Sequence, residues 1–132
     1  MDFNHMLIRT AEIEPMVNFF VNVIGLERGF RPPFPFKGAW LYSEGKHLIH
    51  LALVDKNDQA QLTYLERNTS STGTGIIDHF ALIGANYMSL LDRLKDQNVH
   101  YIQREVPLTK ERQVFVYGPE QIVIEMIFPQ SL

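Results

Sequence analysis

Residues 39–51, AWLYSEGKHLIHL, fall on residues 114–126, VFVYGPEQIVIEM, when the chain is slid along itself by 75 positions. Each segment reads as two runs of alternating apolar and polar residues around a short break containing Gly or Pro, the pattern of paired strands joined by a turn. The match puts His50 over Glu125 and Tyr42 over Tyr117. Two such segments in one chain indicate a duplicated unit, and the flanking sequence tests that idea.

Working outward, FNHMLIR (3–9) alternates as a strand. AEIEPMVNFFVNVIGL (11–26) follows with Met16, Phe19, Phe20 and Val23 at helical spacing, Pro15 in the first turn and Gly25 at the stop. LERGF, GAWLYS and HLIHLALV then read as three short strands. The second copy opens with the strand IIDHFALIG (76–84) and continues into NYMSLLDRLKDQ (86–97), with Asn86 as a cap and Met88, Leu91 and Leu94 as the expected apolar stripe. VHYIQREV, RQVFVYG and QIVIEMIF complete it as three strands. Both halves are therefore βαβββ, an α+β class, and Asn4-His5 overlies Asp78-His79 at a shift of 74. The expected boundaries are a first module at 1–54, a polar, Ser/Thr/Gly-rich connector at 55–75 and a second module at 76–132.

Bulk composition removes several classes of function. The net charge of -3, with 12 basic residues scattered among 15 acidic ones, offers no footprint for nucleic acid. No segment reaches the roughly 18 apolar residues of a membrane span, and the N-terminus lacks a signal-peptide pattern, so the expectation is a cytoplasmic protein acting on small molecules. The chain has no cysteine, so any metal must rest on nitrogen and oxygen donors.

Strand periodicity selects those donors. In the first strand His5 shares a face with Leu7 and Arg9, and in the fourth His50 shares one with Leu48 and Ala52. His79 goes with Ala81 and Ile83, and Glu125 with Val123 and Ile127. Four strands each carry one donor among apolar neighbours, a costly placement unless the donors are paired, and a divalent transition metal would pair all four. Three imidazoles and a carboxylate suit Zn, Ni, Co, Fe(II) or Mn and do not suit calcium or magnesium. The plainer alternative is that the four groups hydrogen-bond one another. His47, ahead of its strand, and His100, at the start of one, are expected to be exposed.

FNHMLIR with FFVNVIGLERGF behind it, GAWLY before HLIHLAL, IDHFAL, and VIEMIF near the C-terminus resemble the vicinal oxygen chelate superfamily, the glyoxalase, bleomycin-resistance and extradiol-dioxygenase group, over nearly the whole chain. The resemblance implies paired modules forming a curved, cup-shaped mixed sheet with helices outside. It implies metal ligands at His5, His50, His79 and Glu125, with Glu125 or His50 moving a proton. Arg9 resembles an arginine that binds a substrate carboxylate, its alternative being a rim salt bridge. Phe34, Phe36 and Trp40 are expected to wall the substrate site, Trp40 alternatively packing between strand and helix; Tyr42 and Tyr117 are expected in the strand core. A homodimer is also implied. The implied activity is proton transfer of lyase or isomerase type on a substrate chelating a metal through neighbouring oxygens. The alternatives are a bleomycin-resistance-like binding protein and an iron(II) dioxygenase built on His5, His79 and Glu125.

Overall fold

Seven residues, 42–48, separate the ladder partners Leu41 and Ile49, and how the chain uses them shapes the first half of the molecule. The computed structural model describes residues 3–54, 77, 79–106 and 110–129. The chain divides into two compact units, Met1–Thr72 and Gly73–Leu132. The expected connector at 55–75 lies outside the described residues.

In the first unit, β1 (Met6–Thr10) leads to α1 (Ile13–Asn18), which widens into a π-helical turn over Phe19–Ile24. Then come β2 (Glu27–Gly29), β3 (Gly38–Ser43) and β4 (Lys46–Leu53). The helix ends where Gly25 takes φ 104°, a left-handed conformation that a Cβ would strain. Strand order is β1-β4-β3-β2, with β1 parallel to β4 and the rest antiparallel. Met16, Phe19, Phe20, Val23 and Ile24 are buried, as are Ala39, Leu41, Ile49 and Leu51 on one face of the sheet. Each of these side chains larger than alanine contributes about 1.5–3 kcal/mol of burial, so this face holds the unit together. Thr10 is fully buried at the end of β1, and its hydroxyl donates to the Glu12 carbonyl at 3.0 Å while accepting from the Glu12 N–H at 3.2 Å.

The second unit repeats the order: β5 (Phe80–Ile83), α2 (Tyr87–Asp96), β6 (Tyr101–Glu105), β7 (Arg112–Tyr117), a 3-10 turn at Pro119–Gln121 and β8 (Val123–Phe128). Its sheet runs β5-β8-β7-β6, with β5 and β8 parallel. Asn86 caps α2, its side-chain oxygen accepting from the Ser89 N–H at 3.0 Å. The buried residues of α2 are Leu90, Leu91 and Leu94, whereas Met88 is 60% exposed. The expected stripe was thus rotated by part of a turn, because Met88 and Leu90 are both apolar and spacing alone did not choose between them. The α+β class, the two βαβββ units and their mixed sheets agree with the sequence reading.

The two ladders differ in one place. β7 and β8 pair without interruption from Arg112↔Phe128 to Tyr117↔Val123. β3 and β4 pair regularly from Gly38↔Ala52 to Leu41↔Ile49, and then the register shifts so that Tyr42 faces His47. The cause is parity. In the first unit the strands are joined by the tight turn Glu44-Gly45, both at positive φ (49° and 80°), as two-residue hairpin turns require. A two-residue turn cannot close an odd number of residues without leaving one out of the ladder, and Leu48 is the residue left over. The second unit spends its equivalent residues on a longer turn and needs no bulge.

Candidate functional site

Cross-strand partners in a sheet share a face, so the registers fix what lies beside each donor. In the first unit Leu7, His50 and Trp40 form one row, opposite the buried face of Ile49, Leu41 and Leu51. In the second, Ala81, Glu125 and Phe115 form the equivalent row, opposite Ile124, Val116 and Met126. His5 and His79 each lie just ahead of the first strand of their unit, two residues before Leu7 and Ala81.

The first unit gathers three imidazoles. The His5 and His50 rings stack with centroids 3.8 Å apart and 12° between planes, and the other face of His50 stacks on the Trp40 indole at 3.8 Å and 9°. His50 is therefore held flat between two rings. Its Nε2 shares a hydrogen bond of 2.8 Å with Nδ1 of His47. The donor nitrogens of His5, His47 and His50 all lie within 4.8 Å of one another. His5 Nδ1 faces Asn4 Oδ1 at 2.7 Å, which points Nε2 the other way. Burial lowers the His50 pKa to about 4, helped by the positive potential of His5, His47 and Arg31, so this ring is neutral at ordinary pH.

His47 corrects the sequence reading. It lies within β4, half-buried, and not exposed ahead of the strand. Strict alternation would set it with Ile49 and Leu51 on the buried face. The bulge at Leu48 turns it to the face of His50, a frequent use of bulges beside functional sites. The only sequence signal was the pairing of a tight-turn dipeptide with an odd spacing.

Phe34 and Phe36 stack at 5.6 Å, and Phe34 approaches Trp40 at 6.1 Å. The Arg31 guanidinium lies 5.1 Å from the centroid of each phenylalanine and donates from Nη2 to the Phe36 carbonyl at 2.8 Å. Gly38 makes room for it, because a Cβ there would sit 2.9 Å from the guanidinium and against the Leu51 carbonyl. Trp40 sits on the row of His50, away from the helix-facing side chains. Arg9, paired with Ala52, lies on the same face as Leu7 and His50. Arg31 was missed in the sequence because it sits in an irregular loop where periodicity says nothing.

In the second unit His79 Nε2 lies 3.1 Å from Glu125 Oε1. Glu125 is 8% exposed, and its Oε2 accepts from Gln113 Nε2 at 3.2 Å. Gln113 Oε1 in turn accepts from Arg104 Nε at 3.2 Å, with the guanidinium over the Phe115 ring at 4.6 Å. The buried carboxylate thus has a partner on each oxygen. Tyr42 and Tyr117 do not enter the core. The Tyr42 hydroxyl donates to the Phe30 carbonyl at 2.5 Å, and Tyr117 is 39% exposed. His100 is exposed, as expected.

The site residues named from the sequence divide by unit: His5, Arg9, Phe34, Phe36, Trp40 and His50 in the first, His79 and Glu125 in the second. No helix among the described residues is long and apolar enough to cross a membrane. No family model and no curated protein matches the sequence. Solved structures do match in shape. A protein of Bacillus anthracis assigned to the glyoxalase family superposes with TM-score 0.71 at 16% identity, covering 98% of this chain and 96% of that one. The genomically encoded fosfomycin resistance protein of Listeria monocytogenes gives 0.67 at 12% identity, covering 98% and 94%. A glyoxalase/bleomycin resistance protein/dioxygenase of Alicyclobacillus acidocaldarius gives 0.63 at 16%, covering 98% and 92%. The chain has the glyoxalase-like fold of these proteins.

Proposed function

We propose that the protein is a metal-dependent enzyme of lyase or isomerase type, acting on a small substrate that presents two neighbouring oxygens. The observation that carries this reading is the equivalence of the two rows: His50 and Glu125 occupy the same ladder position, each with a histidine from ahead of the first strand beside it. The proposed ligand set is His5, His50, His79 and Glu125. The donors fit a borderline divalent ion, being imidazole nitrogens and carboxylate oxygens with no thiolate. When bound, such an ion supplies Lewis acidity toward an oxygen that gains negative charge during the reaction.

The chain's own residues supply the rest. Glu125 accepts a proton at Oε1, while Gln113 holds Oε2 and fixes which oxygen does so. His50, neutral and clamped between rings, keeps a lone pair available at a set angle. Arg9 attracts an anionic group of the substrate, and Phe34, Phe36 and Trp40 exclude water from its apolar part. A cytoplasmic homodimer is part of the same reading.

A second reading is favoured by the satisfied partners already present: His79 pairs with Glu125 and His47 with His50. On that reading the protein binds a small molecule without metal. Elemental analysis of protein purified without a nickel column separates the two. Stoichiometric transition metal supports the enzyme; protein that carries none and takes up none on addition rules it out.

A further inference from the structure

We propose that His47 completes a three-imidazole transition-metal site with His5 and His50, contained within the first unit and able to hold an ion without His79 or Glu125. The inference rests on the metal-dependent reading and extends it. Three observations point the same way. The three donor nitrogens already lie within 4.8 Å of one another. Tetrahedral donors about 2.1 Å from an ion lie roughly 3.4 Å apart, so closing the cluster around one takes a movement of no more than about 1.4 Å in its widest pair. The contact between His47 and His50 is a nitrogen-to-nitrogen hydrogen bond of 2.8 Å, so these two lone-pair positions already face one another and need to part by only about half an ångström to share an ion.

The second observation is the bulge. The two units share strand order, and their hairpin registers match from Gly38↔Ala52 to Leu41↔Ile49 and from Gln113↔Ile127 to Val116↔Ile124; the departure beyond that point delivers an imidazole to the ring of His50. In the second unit the residue facing the equivalent tyrosine, Tyr117, is Val123, which has no donor atom. A feature that cost the sheet a regular ladder pair thus has a chemical product in one unit only.

Third, the surroundings are arranged as for ligands. Asn4 orients His5 through the ring nitrogen that would not bind, and Trp40 fixes the plane of His50. His5 is exposed and precedes β1, so it is the ring free to tilt out of its stack and turn its nitrogen toward a common point. Three imidazoles and solvent suit Zn(II), Ni(II), Co(II) or Cu(II).

The test uses the tag-free, chelator-stripped full chain, with Zn(II) followed by calorimetry and Cu(II) by quenching of the single tryptophan, Trp40, which lies against His50. The doubly substituted His79→Gln/Glu125→Gln chain is expected to keep measurable binding of both ions and the quench. Adding His47→Gln to it should weaken binding about 10–100-fold, the scale for loss of a ligand-shell residue. Circular dichroism confirms that each variant is folded. If the double variant binds neither ion while the parent binds, or if His47→Gln changes nothing, the three-imidazole site is wrong and the metal-dependent reading survives. If the parent itself binds neither ion, both fail.

Discussion

The imidazole of His50 stacks on the indole of Trp40, 3.8 Å away with 9° between the ring planes, so the only tryptophan in the chain reports on the ring at the centre of the candidate site. Replacing His50 with Ala should shift Trp40 emission, because it strips one face of the indole of its stacked ring and opens that face to solvent. Unchanged emission in the folded variant would mean that the two rings do not stack in solution.

The pH dependence has a definite sign. The folded-state pKa of His50, about 4, lies below its ordinary 6.5, so between those values the unfolded chain holds more protons on this ring. Stability from this source is fully present above pH 6.5 and is lost as pH falls toward about 4. The expected loss is about 1 kcal/mol, well under the full shift because solvent screens a partly buried ring. Urea unfolding at several pH values should show this slope in the parent and a flatter one in His50→Gln.

Glu125→Ala removes the acceptor shared by His79 and Gln113 from a nearly buried position. Two donors lose their partner, and the expected cost is about 1–3 kcal/mol. Thermal unfolding measures it. A variant as stable as the parent would show that the carboxylate is not held as described.

Gly38→Ala should destabilise by about 1–3 kcal/mol, since the new methyl meets a backbone carbonyl that cannot move cheaply and displaces the Arg31 guanidinium. A shift in Trp40 emission should accompany it, as Phe34 couples the arginine to the indole. Stability equal to the parent would sink the packing argument.

The expected homodimer predicts a light-scattering mass of about twice 15.3 kDa at micromolar concentration. A mass of one chain would contradict it.

Much of this was legible in the sequence. Period two put His50 and Glu125 on the faces opposite Ile49 and Ile124, where the ladders have them, and the shift of 75 that aligned these residues also aligns Trp40 with Phe115 in the sheet rows. Periodicity works there because one face of each strand is buried and a slip would invert it. It failed at His47 for the complementary reason: a bulge is a local break in the period, set by a turn several residues away. It failed at Arg31 and Gln113 because loops and long polar side chains find partners in three dimensions that spacing does not encode. Met88 shows the limit for helices, where adjacent apolar residues compete for one face and only packing decides.

The turn Glu44-Gly45 has a reach beyond its two residues. Gly45 has open space around it and is constrained only by its positive φ, so a bulkier residue there strains the turn and touches nothing else. A loop lengthened by one residue would let Leu48 rejoin the ladder and swing His47 round to the opposite side, leaving Ile49 and Leu51 undisturbed. The donor count of the cluster is thereby governed from a solvent-facing hairpin tip.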